Sequence, residues 1–281
     1  MDIRPSPISG RWYPGRSAAL AESVDEFLNA AQVSPRHEKI IGVVAPHAGH
    51  IYSGAVAGYA FQSVRGLEID TVAIAGPSHF HDDGALITSG HEAYETPLGT
   101  VAVDQSLSEE LRNELAQALN KEKSEMLVPL RCDREHAIEI ELPFLQRVFG
   151  NGFSLIPIMM RDQSERISKA LGAALAKILR GKKALIVGSS DLSHFYPDNV
   201  AQKLDAEMLN QINNFDPHGV LKAESEGRGF ACGHGAIAAT LWAARDLGAT
   251  HAHVIQHATS GDVSGDRSSV VGYGAAVIWK D

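Results

Sequence analysis

Two apolar patterns alternate along this chain. Unbroken runs rich in Val and Ile, bounded by Gly, Pro or Asp, stand at "KIIGVVA" (39–45), "DTVAIAG" (70–76), "FSLIPIMM" (153–160), "KALIVGSS" (183–190) and "SVVGYGAAVIW" (269–279). Such runs predict buried strands. Between them apolar residues recur with the helical period. Leu20, Val24, Phe27, Leu28 and Ala31 share one face after Ser17; Leu107, Leu111, Leu115 and Leu119 form a second stripe, and Ile167, Leu171, Leu175 and Ile178 a third. Asp216 before Pro217 predicts an N-cap with proline at the first helical position. "GAIAATLWAARDLG" (235–248) predicts a helix of small residues ending at Gly248. "CDREHAIEIELPFLQ" (132–146) predicts another helix, capped by Asp133, with Glu135, His136 and Glu139 on one face and Ile138, Leu142 and Leu145 towards another. Strands alternate with helices, with no linker, low-complexity tract or clear repeat. The expectation is an α/β fold: a single domain over 1–281, with a largely parallel mixed sheet flanked by helices.

Composition narrows the function classes. The chain is 44% hydrophobic and 21% charged, as ordinary globular proteins are. Its 34 acidic against 25 basic residues give a net charge of −9, which argues against a nucleic-acid partner. No apolar run approaches the roughly 20 residues of a membrane span. "MDIRPSPISGRWYPGR" lacks the pattern of a signal peptide. The two cysteines, Cys132 and Cys232, make no disulfide framework, and free thiols suit a reducing compartment. A cytoplasmic location is expected.

The polar residues gather at strand ends. "VVAPH" delivers His47, "AIAGPSH" delivers His79, and "LIVGSSDLSH" delivers Asp191 and His194. The carboxyl ends of parallel strands face one edge of a sheet, where ligands bind. A lone histidine at a strand end is more often a loop hydrogen-bonder than a ligand. Three at equivalent positions favour a shared site. Cys232, in "FACGHGAIA", precedes a predicted helix whose N-terminus favours a thiolate, although a small buried cysteine is the ordinary alternative. His136 is a candidate acid/base or substrate contact, against the alternative of a solvated helix start. His50 and His81 are candidate supports for the neighbouring histidines. His37, His91, His218, His251 and His253 read as surface residues, and His234 and His257 receive no assignment.

Two imidazoles and one anionic donor make a three-point metal site with open positions. His47, His79 and Cys232 are the candidate donors, and a thiolate admits Fe, Cu or Zn. His194, fixed by Asp191, is the candidate proton carrier. A cysteine-dependent or zinc hydrolase is a rival reading, although there is neither a G-x-S-x-G elbow at "VGSSDLSH" nor an H-E-x-x-H. A non-catalytic module that binds metal or peptide in the same cleft is another.

The segments "GRWYPG", "APHAGHIYSG", "GPSHF", "EHAIEIELPFLQ", "SSDLSHF", "CGHG" and "VGYGAAVI" run in this order from end to end. Together they resemble the Memo family, also called component B of the AmmeMemoRadiSam system. The resemblance implies the LigB-like fold of class III extradiol dioxygenases, which open catechol rings with non-haem Fe(II). There two histidines and a glutamate hold iron, and another histidine is the acid/base. By position His47 and His79 match the histidine ligands, and His194 matches the acid/base. Cys232 stands where Memo proteins carry cysteine in place of the glutamate. The implied protein binds metal, Fe(II) first and Cu or Zn as alternatives. It would be a dioxygenase-like oxidoreductase acting on a small molecule; His136 is added as a substrate contact from the residue reading alone. A pathway link to radical-SAM and AMMECR1-like proteins is also implied. At position 50, where the family usually has tyrosine, this chain has His50.

Overall fold

The computed structural model describes residues 1–33, 39–80 and 83–281; His37 and His81 lie outside the described residues. The strands are β1 (Ile3–Arg4), β2 (Ile40–Ala45), β3 (Thr71–Pro77), β4 (Leu86–Ser89), β5 (Ala93–Thr96), β6 (Gly99–Ala102), β7 (Val128–Leu130), β8 (Ser154–Met160), β9 (Ala184–Ser189), β10 (His194–Tyr196), β11 (His251–Thr259) and β12 (Val270–Trp279). The helices are α1 (Ser17–Ala30), α2 (His50–Ser63), α3 (Gln105–Leu119), α4 (Leu142–Phe149), α5 (Glu165–Leu179), α6 (Asp198–Asn213), α7 (Pro217–Ser225), α8 (His234–Asp246) and α9 (Gly261–Ser264).

The five apolar runs are all strands of one mixed sheet, and its centre is parallel. β9 lies between β2 and β3 and pairs in parallel with both, and β3 pairs in parallel with β8. β12 lies antiparallel beside β2 and carries β11, also antiparallel, on its other side. β4 runs antiparallel to β8 and parallel to β7, while β10 pairs with the start of β12. A small second sheet joins β1, β5 and β6.

The central strands are buried on both faces, and alternation along each strand divides the core. In β3, Val72 and Ile74 join the cluster that contains Leu20, Val56 and Phe144, from α1, α2 and α4. Ala73 and Ala75 join the cluster that contains Leu111, Leu171 and Ala239, from α3, α5 and α8. Side chains alternate faces along a strand, so a helix layer is needed on each side. On the first side α1 and α2 approach closely. A Cβ added at Gly54 would come within 2.5 Å of the Phe27 ring, and one at Gly58 within 2.6 Å of the Phe27 carbonyl oxygen.

Two features depart from the sequence expectations. β11 is a full strand although "HAHVIQHAT" is not among the predicted strands, because pairing with β12 sets it rather than an apolar run. Residues 132–146 are not one helix. The chain is irregular through His136, makes a short 3-10 turn at Glu139–Glu141, and enters α4 only at Leu142. Glu135, His136 and Glu139 therefore do not share a helix face. Among the described residues no helix is long and apolar enough to cross a membrane.

The irregular segment is tied down by a buried charge. Arg4 is 1% exposed. Its Nε donates to Asp133 Oδ2 at 2.6 Å, its Nη1 to Glu139 Oε2, and its Nη2 to the Glu135 carbonyl oxygen at 2.7 Å. Tyr13 and Ser6 donate to the other Glu139 oxygen. Removing one member of such a network leaves uncompensated charge in the core. Arg4→Met is therefore expected to destabilise the fold by about 3–5 kcal/mol. Urea denaturation checks this, and the double variant with Glu139→Gln should recover part of the loss. A single variant as stable as the parent would show that the network holds nothing together.

Candidate metal centre

The order of the central strands brings the predicted histidines together. β2 ends at Ala45 and delivers His47 two residues later; β3 ends at Pro77 and delivers His79 after Ser78. β9, between them, ends at Ser189 and leads into Ser190 and Asp191. His47, His79, His136, Asp191 and His194 line one cavity of about 630 Å³, walled also by Trp12, Tyr52, Phe195 and Tyr273. Cys232 does not line it, but its Sγ lies 3.1 Å from His47 Nε2.

Three rings form the centre of the site. One nitrogen from each of His47, His79 and His136 lies within 4.8 Å of the other two. The His79 and His136 rings stack with centroids 4.5 Å apart, and His47 meets both edge-on at 5.3 and 5.4 Å. Trp12 covers the His136 ring at 4.2 Å.

Each ring has a polar partner at Nδ1. His47 Nδ1 is 2.9 Å from Ser189 Oγ. His79 Nδ1 is 2.9 Å from Glu135 Oε1, and His136 Nδ1 is 3.2 Å from the same oxygen. Glu135 also accepts from the backbone N–H groups of His79, His136 and Ala137. It is the principal group that sequence reasoning missed, because a helix would have placed it on a solvated face. The adjacent Glu135-His136 pair was the available signal, but it shows only once the segment is irregular.

Electrostatics divide the rings. Burial opposes charge on His79, but the Glu135 hydrogen bond and the nearby negative charges outweigh it and raise its pKa. Burial also works against the Glu135 carboxylate, yet the bond to His79 and the charges on His79 and His136 bring it down to about 2. Burial dominates at His136, which falls to about 4, and at His47, which is pushed well below the ordinary value. Burial thus disfavours charge on His47 and His136, while Glu135 favours it on His79.

Several expected roles change. Asp191 does not orient His194. Its carboxylate accepts from the backbone N–H groups of His47 and Ala48, at 2.8 and 3.2 Å, and burial raises it to about 7. His194 instead donates from Nδ1 to the Leu192 carbonyl oxygen at 2.7 Å, because that oxygen lies within reach along the same turn. Cys232 precedes α8 as expected, but burial, followed by the nearby Asp191 charge, pushes its thiol up rather than down. His50 supports nothing in the cavity. It is 3% exposed, packs among Tyr13, Phe27 and Phe144, and bonds through Nε2 to the Ile140 carbonyl oxygen. Among the histidines without a site role, His257 pairs with buried Asp205 at 2.9 Å, and His234 bonds the Ala231 carbonyl oxygen.

Comparison with known proteins agrees along the whole chain. The protein-family profile described as Memo-like protein matches residues 4–277. A MEMO1 family protein from Nitrosopumilus maritimus is 35% identical over 278 residues, covering 97% of this chain and 98% of that one. One from Methanosarcina mazei is 34% identical over 280 residues, covering 99% and 100%. One from Methanothermobacter thermautotrophicus is 34% identical over 281 residues, covering 96% and 98%.

The balance at His79 can be measured. Glu135→Gln leaves burial as the dominant influence, so the His79 pKa should fall from above the ordinary histidine value to below it. Histidine NMR titration reads this directly. A raised folded pKa means that the charged pair stabilises the fold fully below the unfolded value of about 6.5 and loses that contribution as pH rises through the folded value. The variant should lack this part of the pH dependence; an unchanged His79 pKa would assign the shift to another group.

Proposed function

This chain belongs to the Memo-like protein family, and we propose that its histidine-lined cavity is a mononuclear metal centre in a dioxygenase-like oxidoreductase that acts on a small molecule. The observation that carries this reading is that two of the three clustered rings, His47 and His79, have Nδ1 hydrogen-bonded to a fixed partner. Metal-binding histidines characteristically spend one nitrogen on a fixed outer partner and offer the other to the ion. His47 meets this condition through Ser189, and His79 through Glu135.

His47, His79 and Cys232 would hold the ion. The short approach of Cys232 Sγ to His47 Nε2 supports a thiolate donor. Two imidazoles and a thiolate suit Fe(II), with Cu or Zn as alternatives. The metal would supply Lewis acidity and open positions for substrate and O₂. His194 lines the same cavity with its Nδ1 already engaged, so Nε2 is the nitrogen left to move a proton. His136, under Trp12, would contact the substrate.

The mutual approach of the three histidines favours a second donor set, His47, His79 and His136. A cysteine-nucleophile reading has less support, because burial disfavours a thiolate that no metal is there to stabilise, whereas a bound ion would itself displace the thiol proton.

Protein purified without oxygen should contain about one iron per chain. His47→Ala and His79→Ala should both lose it. Cobalt substitution then separates the donor sets: a sulfur-to-metal charge-transfer band that disappears in Cys232→Ala assigns the thiolate. Full binding without that band, lost in His136→Ala, assigns the three-histidine set. Failure of the parent protein to bind iron, copper, zinc or cobalt would sink the metal reading.

A further inference from the structure

Behind His47 lies a buried carboxyl group that the proposed chemistry does not use. Glu141 is 0% exposed, and so is Ser189. Ser189 Oγ stands 2.9 Å from Glu141 Oε1, 2.7 Å from the Ala137 carbonyl oxygen and 2.9 Å from His47 Nδ1. The other Glu141 oxygen, Oε2, is buried without a hydrogen-bond partner.

Counting protons around Ser189 Oγ fixes the directions of these bonds. A hydroxyl has one proton and two lone pairs. Two of its three neighbours are oxygens at hydrogen-bond distance, so a proton must lie in each gap. The Ala137 carbonyl has none to give, so the serine proton goes there. The proton between Ser189 and Glu141 must then come from the carboxyl group. With its own proton spent, Ser189 can only accept from the imidazole, so His47 carries its proton on Nδ1. The oxygen then makes one donation and two acceptances, which is its full capacity. A serine proton shared between both oxygens would instead leave a carboxylate in the core with one oxygen bare, which burial penalises heavily.

We propose that Glu141 is carried in the folded protein as a neutral carboxylic acid whose O–H donates to Ser189, and that this acid–hydroxyl–imidazole chain positions His47 with Nδ1–H inward and the Nε2 lone pair outward. Burial, the dominant influence on this carboxyl, acts in the same direction. Glu141 is a positioning residue, since it reaches His47 only through Ser189. Its use in metal binding rests on the proposed function, but the protonation and the tautomer do not.

The test begins on metal-free protein. Infrared difference spectra of the parent against Glu141→Gln, at neutral and mildly alkaline pH, should show a carboxylic-acid C=O stretch that the variant lacks. Long-range proton–nitrogen NMR of histidine-labelled protein, with His47 assigned by His47→Gln, should show the Nδ1–H tautomer. Glu141→Gln keeps a donor towards Ser189 and should retain that tautomer. Ser189→Ala removes the acceptor and should raise the Nε2–H form. Cobalt affinity should fall roughly 10- to 100-fold in Ser189→Ala and change little in Glu141→Gln. At mildly alkaline pH, where Asp191 is ionised, no acid band in the parent, or a band that survives Glu141→Gln, overturns the neutral acid. An Nε2–H tautomer at His47 in the parent overturns the positioning chain, whether or not Ser189→Ala folds. Absence of metal binding with band and tautomer both present would count against the metal reading alone.

Discussion

A positive charge in the core constrains much of what surrounds the site. Arg4 has almost no contact with solvent, so its guanidinium must find its partners within the protein. It takes Asp133, Glu139 and the Glu135 carbonyl oxygen, and its face packs over the Tyr94 ring. Satisfying that fork draws residues 133–139 into an irregular path beneath the sheet edge. A regular helix over the same residues would turn Glu139 onto the same face as Glu135 and His136. The observed path turns Glu139 to the guanidinium and Glu135 to the imidazoles. The N-terminal strand and the cavity are thus parts of one electrostatic arrangement.

Two glutamates only six positions apart meet opposite fates for physical reasons. Glu135 accepts three backbone N–H groups and one imidazole, which together overcome the penalty of burial and keep it ionised. Glu141 has one hydroxyl near one oxygen and no hydrogen-bond partner at the other, so burial decides its state. One carboxylate supplies charge to the rings of His79 and His136. The other meets His47 through a hydroxyl and supplies direction without charge. Environment, rather than residue type, separates the two roles.

The sequence was legible where local chemistry and final structure agree. The five Val- and Ile-rich runs became strands because their composition suits burial, and the polar ends of β2, β3 and β9 fell at one edge because those three strands are parallel. His47 and His79 could be found in this way, and the end-to-end motif set pointed to the family. What could not be read depended on contacts distant along the chain. β11 is held by β12, and its own composition does not suggest a strand. Residues 132–136 are held by an arginine near the N-terminus, so helical periodicity was the wrong guide there. His50, three residues beyond His47, looks like a supporting group in sequence, yet the first turn of α2 rotates it into an aromatic part of the core.

Strand order explains the remaining assignment that changed. β9 lies between the strands that carry His47 and His79, and no ring of the cluster comes from its end. It supplies the groups that hold its neighbour: Ser189 meets the His47 ring, and Asp191 accepts from the His47 and Ala48 backbone. A strand between two histidine-bearing strands is well placed for this work, because its end faces the turns on either side. Asp191 and His194 are close in sequence, which makes them look like an acid–base pair. Asp191 is taken up by the neighbouring turn, while the chain carries His194 onward to β10 and the cavity wall. The middle strand therefore fixes the His47 ring and its turn, and the outer two supply two of the three clustered rings.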